Sequence, residues 1–193
     1  MKDDIRNRLM ELRGRIAEAC EEHDRDADDI SILAVTKRFP ESVIQTVVAA
    51  GLLDIGESRV QEGVQKVISL GPIARYHLIG HLQSNKVKKA VAHFDVIQSV
   101  DSWELAAEIN RCALEIDRTI ECLIQVNASG ESSKSGVEPD KALESLRRAL
   151  RHTGESGRTG SKSFTTASRR ASGSRSVVIR PPLADRKSSP SAF

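Results

Sequence analysis

The chain has 193 residues, of which 39 % are hydrophobic and 29 % charged, a composition typical of folded globular proteins and not of disordered ones. No run approaches the roughly 20 consecutive apolar residues that a membrane-spanning helix requires, so a membrane protein is not indicated. The net charge of +2 is unevenly distributed along the chain. Residues 151–193 hold nine Lys and Arg against two Asp and Glu, so the excess of positive charge lies in this segment and residues 1–150 are net negative. Nucleic-acid binding by residues 1–150 is therefore not indicated.

The first predicted element is an amphipathic helix from residue 1 to about residue 25. Its apolar residues recur at helical spacing, and they are Ile5, Leu9, Leu12, Ile16 and Cys20. The same segment lacks the apolar core and small-residue cleavage site of a secretory signal peptide, so we expect a cytoplasmic protein. The three cysteines of the chain form no CxxC pair, and we predict buried thiols rather than disulfides or a zinc site.

The remainder of residues 1–150 alternates between predicted strands and predicted helices. Strands are predicted at about residues 31–36, 52–56, 75–80, 95–100 and 120–127, and helices at about 40–50, 58–70, 85–94, 103–116 and 139–150. The first strand is apolar throughout, which predicts burial on both of its faces. Five strand-then-helix units in succession indicate a parallel sheet with right-handed crossovers. An open doubly wound sheet and a closed (β/α)₈ barrel both fit this pattern.

In both architectures ligands bind at the carboxyl ends of the strands, so the residues at those ends are the candidates for a site. Lys37 follows the first strand, Ser58 the second, His81 the third and Asn127 the fifth. A lysine at a strand end is commonly a solvated charge, but partial desolvation inside a barrel mouth would lower the pKa of its amine. A neutral amine can attack an aldehyde and form a Schiff base, which makes Lys37 a candidate anchor for a carbonyl compound such as pyridoxal phosphate (PLP).

Other motifs give weaker indications. His77 and His81 are four residues apart, which on a helix would suggest a metal site, but here they fall on a predicted strand and turn. We expect His77 to face one side of the sheet and His81 to face the mouth, and we predict no metal site. The loop at residues 129–136 lacks the spacing of a phosphate-binding P-loop, and no GxGxxG follows the first strand.

Four segments carry a resemblance to a known family: "AVTK" (34–37), "DIGESRVQE" (54–62), "YHLIGHLQSNKVK" (76–88) and "IQVNASGESSKSG" (124–136). Collinearly, over roughly residues 5–148, the chain resembles the YggS-type pyridoxal phosphate homeostasis proteins, single-domain relatives of the alanine racemase barrel. The resemblance implies an α/β fold of the (β/α)₈ barrel type, here its first five β/α units plus an N-terminal helix. It also implies PLP at the barrel mouth, a Schiff base on Lys37, and His81 in the loop that lines the cofactor.

The resemblance has one departure at the candidate site and leaves two functions to weigh. Ser58 stands where the family usually has asparagine in "GENRVQE", so we expect weaker or altered cofactor contact there. A carrier in PLP homeostasis and a PLP-dependent racemase both fit, but racemisation needs a second acid or base facing the lysine. The single tyrosine, Tyr76, does not lie at a strand's carboxyl end. We therefore favour the carrier, with no catalytic residue assigned, PLP-requiring apo-enzymes as candidate partners, and a monomer or weak homodimer.

Residues 151–193 do not continue the alternation, which limits the predicted barrel-type PLP-binding domain to residues 1–150. The segment contains ten serines and one short apolar run at residues 177–179, and we predict disorder. Its Arg, Ser and Pro bias suggests a frameshift near codon 150, and the alternative is a natural basic tail that binds an acidic partner. Five of eight strands would leave two open sheet edges and an uncovered apolar face. A truncated product that no longer binds PLP is therefore a third possible interpretation, since the family's phosphate-holding loops have no counterpart here.

Overall fold

The computed structural model describes residues 2–129, 135–141 and 176–179. The helices of this part are α1 (Lys2–Glu22), α2 (Glu41–Ala49), α3 (Val60–Leu70), α4 (Val87–His93) and α5 (Trp103–Glu115). The strands are β1 (Ala34–Val35), β2 (Asp54–Glu57), β3 (Arg75–Leu78), β4 (Val96–Val100), β5 (Ile120–Ile124) and β6 (Ser176–Ile179). Short 3₁₀ turns occupy Ala27–Asp29 and Ser84–Lys86, and residues 139–141 are helical. None of the described helices is long and apolar enough to cross a membrane.

The order of the strands decides between the two architectures that the sequence left open. Strands β1 to β5 are all parallel and lie side by side in the order in which they occur along the chain. A doubly wound sheet would reverse its order at a switch point, whereas consecutive neighbours joined through helices form the wall of a (β/α)₈ barrel. The five parallel strands β1 to β5 therefore form part of the wall of a (β/α)₈-type barrel, as predicted.

The helix boundaries follow from local chemistry. Pro40 precedes α2 at the N-cap position rather than opening the helix, and Gly51 follows it with a φ of 89° that favours glycine. Gly71 ends α3 in the same left-handed region, with a φ of 70°. Ser102 is the N-cap of α5, and its Oγ accepts a hydrogen bond from the N–H of Leu105.

The hydrophobic core lies between the sheet and the helices. Most strand residues that point to the helices are buried, and the largest of the wholly buried ones are Tyr76, Leu78, Ile55, Ile97 and Ile120. Each such side chain contributes roughly 1.5–3 kcal/mol by leaving water. All three cysteines are buried, as predicted. On α1 the prediction holds in part, because Leu9 is buried while Leu12 is 41 % exposed.

The other face of the sheet carries charged side chains as well as the apolar ones that the sequence predicted. Alternation along the strands places Asp54, Arg75, His77 and Glu121 on the side away from the helices. Arg75 forms ion pairs with Asp54 and Glu121, and His77 Nε2 lies 2.8 Å from Asp54 Oδ1. Val35, at the edge strand β1, is 45 % exposed, so the prediction that this strand is buried on both faces is wrong. Strand β1 has a neighbour on one side only among the described strands, and that position leaves Val35 uncovered.

The predicted disorder of residues 151–193 is wrong for the four residues 176–179. They form β6, which pairs antiparallel with β5 from Ile120↔Ile179 to Leu123↔Ser176. β5 would otherwise present unpaired backbone groups, and the apolar run at residues 177–179 satisfies them in the direction opposite to that of a barrel strand. The prediction for residues 142–175 and 180–193, including the rest of the helix expected at 139–150, lies outside the described residues.

Candidate functional site at the carboxyl ends of the strands

Lys37 lies at the carboxyl end of β1, as the sequence predicted. Val35 pairs with Gly56 of β2, so the ends of these two strands are adjacent. A tight turn follows, closed by the N–H of Phe39, which donates to the carbonyl of Thr36 at 3.1 Å. Lys37 itself is exposed, so the partial burial that the sequence predicted for its amine is not found. The described strands form an open wall, and an open wall does not enclose a side chain at its rim.

A buried network holds the residues on both sides of Lys37. Before it, the hydroxyl of Thr36 donates to Glu57 Oε1 at 2.6 Å, and Lys66 Nζ donates to the Thr36 carbonyl at 2.9 Å. After it, the N–H of Arg38 donates to Glu62 Oε1 at 2.7 Å. Lys66 Nζ also donates to Glu57 and to Glu62, each at 2.8 Å. One ammonium group therefore links the two halves of the network.

The charges of this network support one another. Burial by itself would lower the pKa of Lys66, but its bonds to Glu57 and Glu62 outweigh that effect and raise the pKa. The hydrogen bond from Lys66, followed by that from the Arg38 N–H, lowers the pKa of the Glu62 carboxyl. Glu57 is wholly buried, and its second oxygen, Oε2, has no hydrogen-bond partner in the described structure. The hydrogen bonds that stabilise the buried Glu57 carboxylate are therefore those to its Oε1, which accepts from Lys66 Nζ and from the Thr36 hydroxyl.

Sequence reasoning missed this network. It gave no role to Thr36, Glu57 or Lys66. The available signal was the spacing of Glu62 and Lys66, which are four residues apart on a predicted helix. That spacing is also typical of an ordinary ion pair on a solvated helix face, so it did not indicate burial.

Ser58 lies beside the end of β3 and is half-buried. A Cβ at Gly80 would come within 2.1 Å of the Ser58 carbonyl oxygen, so glycine is required for this close approach. Ser99 Oγ donates to the Gly80 carbonyl at 2.7 Å and fixes the same segment from β4. The ends of β2, β3 and β4 are thus in direct contact, and Ser58 lies at the start of that contact.

His81 and Asn127 line one cleft of about 310 Å³. His81 is exposed and its Nδ1 lies 3.3 Å from Asp101 Oδ2. Asn127 is half-buried, and its N–H donates to the Val137 carbonyl at 2.9 Å. The structure therefore brings together these two of the four predicted residues. Lys37 and Ser58 lie on the β1–β2 side of the same edge and do not line this cleft.

His77 and Tyr76 lie away from the strand ends. His77 faces one side of the sheet, as predicted, and this is the side away from the helices, where its Nε2 is bonded to Asp54 and its Nδ1 to Gln98. Desolvation lowers the pKa of His77 despite its bond to Asp54. Tyr76 is buried in the core, and its hydroxyl lies 3.4 Å from the Gly71 carbonyl. In the described residues no group of three or more His, Cys, Asp or Glu side chains is arranged to hold a metal ion.

The residue types at this edge fit the aldehyde and the ring of PLP. Lys37 provides a primary amine, Ser58 a hydroxyl and His81 an imidazole, and all three follow neighbouring parallel strands. An amine is the group that forms a Schiff base, and hydroxyl and imidazole groups can hydrogen-bond a hydroxypyridine ring. The groups that would hold the phosphate do not emerge from the described strand ends.

The fold and these groups define a barrel-type α/β protein whose candidate ligand site lies at the carboxyl ends of its strands. The chain belongs to the alanine racemase N-terminal domain family, whose model matches residues 14–169. This membership confirms the barrel type that the resemblance implied, although the described residues do not close the barrel.

Individual relatives show which members of this family the chain is similar to. The pyridoxal phosphate homeostasis protein of Haemophilus influenzae is 37 % identical over 142 residues, which are 72 % of this chain and 60 % of that protein. The solved structure of PipY from Synechococcus elongatus with PLP bound is 36 % identical, with a TM-score of 0.63 over 75 % of this chain and 63 % of that one. An alanine racemase of Clostridium difficile shares the fold at 16 % identity and a TM-score of 0.56, over 64 % and 33 % of the two chains. The resemblance to pyridoxal phosphate homeostasis proteins is thus confirmed, and the chain spans about 60 % of the length of the curated relatives it matches.

Proposed function

We propose that this chain binds PLP through Lys37 and serves in intracellular PLP homeostasis as a carrier. The observation that carries the proposal is the position of Lys37 at the carboxyl end of β1, on a turn held on both sides, in a chain whose relatives are named pyridoxal phosphate homeostasis proteins. PipY, which shares the fold at 36 % identity, has been solved with PLP bound, and this supports the cofactor assignment.

The proposed bond uses the chemistry of a primary amine. PLP supplies an aldehyde, the electrophile in this reaction. Lys37 would hold the cofactor by supplying the primary amine for a Schiff base, a condensation that would release the carbonyl oxygen as water together with the two amine protons. Ser58 and His81 lie at the ends of the next two strands, where a hydroxyl and an imidazole can hydrogen-bond the ring. His81 is oriented by Asp101, and Asn127 is proposed as a further contact from the end of β5.

A carrier is favoured over a racemase by the position of Tyr76. Racemisation moves a proton on both faces of the cofactor and so needs an acid or base opposite the lysine. Tyr76 is buried on the helix side of the sheet, among core residues, and therefore does not face the site. Delivery of PLP to apo-enzymes, a cytoplasmic location and a monomeric or weakly dimeric state remain predictions. The frameshift hypothesis for residues 151–193 also remains a prediction, which translation of the gene in its other frames tests.

Borohydride trapping on the purified full chain tests the proposal. The protein is incubated with excess PLP, reduced, digested and mapped by mass spectrometry, in parallel with Lys37→Ala and with the exposed control Lys88→Ala. We expect the phosphopyridoxyl label on Lys37 in the unaltered protein and in Lys88→Ala, and its loss in Lys37→Ala. Label spread evenly over the lysines, or equal total label in Lys37→Ala, would overturn the proposal and favour a product that no longer binds PLP.

A further inference from the structure

We propose that Lys66, together with Glu57 and Glu62, is a clamp, centred on the buried ammonium of Lys66, that positions Lys37. Lys66 would act as a positioning residue, since it contacts the backbone around Lys37 and not the reacting amine. The inference rests on the proposed function of Lys37, but the clamp can be measured without PLP.

The contacts reach the chain on both sides of Lys37. On one side Thr36 is held twice, through its hydroxyl by Glu57 and through its carbonyl by Lys66. On the other side the N–H of Arg38 is held by Glu62. Lys66 bonds both carboxylates and so joins the two attachments through one group. The Cα of Lys37 is therefore fixed between two anchored peptide units, while its own side chain extends into solvent.

The backbone conformation of the turn supports the same conclusion. Arg38 has a φ of 65°, in the left-handed region that side chains other than glycine rarely adopt. Such a conformation persists where surrounding contacts over-determine it, and here Glu62 holds the N–H of that same residue. The clamp therefore holds the turn in a conformation that a free loop would leave.

A buried ion pair that only stabilises the core would not need hydrogen bonds to the backbone on both sides of Lys37. Such pairs can often be replaced by apolar residues without loss of stability, so burial alone does not explain the arrangement. In this chain one of the three N–H groups of the Lys66 ammonium donates to the backbone carbonyl of the residue directly before Lys37. Glu62 likewise accepts from a backbone N–H directly after it. Both contacts act on the geometry of the turn.

The experiment weakens the clamp and reads out the turn. Glu62→Gln keeps the size of the side chain at a partly exposed position, and Lys66→Met and Lys66→Arg remove or retain the charge of the central residue. Glu108→Gln is the matched control, because Glu108 forms an exposed ion pair with Arg111 on α5, away from Lys37. Hydrogen exchange of the Arg38 and Phe39 amides reports the turn directly. Reductive methylation of Lys37 by formaldehyde, relative to Lys88, reports the amine without PLP.

We expect the Arg38 amide to exchange about tenfold faster in Glu62→Gln than in the unaltered protein, because a charge-assisted hydrogen bond is weakened. The ratio of Lys37 to Lys88 labelling, and the pH profile of that ratio, should change in Glu62→Gln and Lys66→Met, and Lys66→Arg should restore the ratio in part. The Glu108→Gln control should match the unaltered protein. Equal exchange in Glu62→Gln and the control, or a change in Lys37 labelling no greater than that of Lys88, would overturn the clamp.

The two proposals fail in different ways. If PLP does not label Lys37 in the unaltered protein, the proposed function fails, while amide exchange and formaldehyde labelling still decide whether the clamp exists. If PLP labels Lys37 to the same extent in all the variants, the proposed function stands and the positioning role fails.

Discussion

The two sides of the candidate site are held by opposite kinds of interaction. Around Lys37 the contacts are charged and centred on two buried side chains, with that of Lys66 7 % exposed and that of Glu57 fully covered. Around His81 the corresponding contact in the described residues is a pair with Asp101 at 3.3 Å, and the imidazole is 56 % exposed. Helix α3, which carries Lys66, covers the first side, whereas the second side opens to the cleft shared with Asn127.

The side around Lys37 is held in one geometry, whereas the side around His81 can adapt. Buried polar groups interact strongly because water does not compete, so they fix a single geometry. Exposed pairs are weakened by solvent and salt and hold their side chains loosely. The Lys37 turn is therefore set before a ligand arrives, while His81 can adjust to one. The following predictions test this contrast.

The largest effect is expected from Lys66→Met. Removing the ammonium leaves Glu57 buried without its charge partner, and breaking a buried pair in this way costs about 3–5 kcal/mol. The free energy of unfolding in urea, compared with that of the exposed control Lys88→Met, measures the loss. A loss below about 1 kcal/mol would place Lys66 with ordinary surface pairs and remove the contrast.

A smaller loss is expected from Gly80→Ala, which acts on the contact between the ends of β2 and β3. The added Cβ would lie 2.1 Å from the Ser58 carbonyl oxygen, so the backbone must move. Overpacking of this kind costs about 1–3 kcal/mol. Gly14→Ala is the matched control, because a Cβ there meets nothing within 4 Å on α1, and the same change in a helix should stabilise by about 0.5–1 kcal/mol. Thermal unfolding that moves both variants in the same direction would contradict the close approach.

The sequence predicted the fold of the wall well because its signals are local. Apolar runs such as that of β4 alternate with amphipathic segments, and the cap at Ser102 follows from its side chain and the helix after it. The exposure of Val35 and the pairing of residues 176–179 depend on which strand lies beside which. An apolar run indicates that its residues favour burial, but it does not indicate whether a neighbouring strand is present to bury them.

The same limit applies to the candidate site, where strand-end positions could be predicted but long-range contacts could not. Lys37 and Ser58 could be placed at strand ends, because parallel strands bring their carboxyl ends to one edge. The role of Lys66 could not be read, since burial of its ammonium depends on Thr36, which lies 30 residues earlier in the chain. Long-range hydrogen bonds of this kind have no periodicity, and a single sequence does not display them.

A further prediction concerns acidic pH. Because the pKa of Glu62 is lowered from 4.5 in the folded chain, its contribution to stability is present above pH 4.5 and is lost as the pH falls through the lower folded value. Glu62 is partly exposed, so we expect a contribution of about 1 kcal/mol or less. Urea midpoints measured between pH 6 and pH 3 should fall less steeply in Glu62→Gln than in the unaltered protein. Parallel curves would show that the carboxylate of Glu62 is not stabilised by Lys66 and the Arg38 N–H.

The smallest effect on stability is expected from Asp101→Asn, on the open side of the site. The pair with His81 is exposed on the His81 side, and such pairs contribute less than about 1 kcal/mol, which salt reduces further. The free energy of unfolding should therefore change by at most about 0.5 kcal/mol at low salt and by less in 1 M NaCl. An Asp101→Asn loss as large as that of Lys66→Met would show that His81 is held as firmly as Lys37, because only a pair shielded from water could contribute so much.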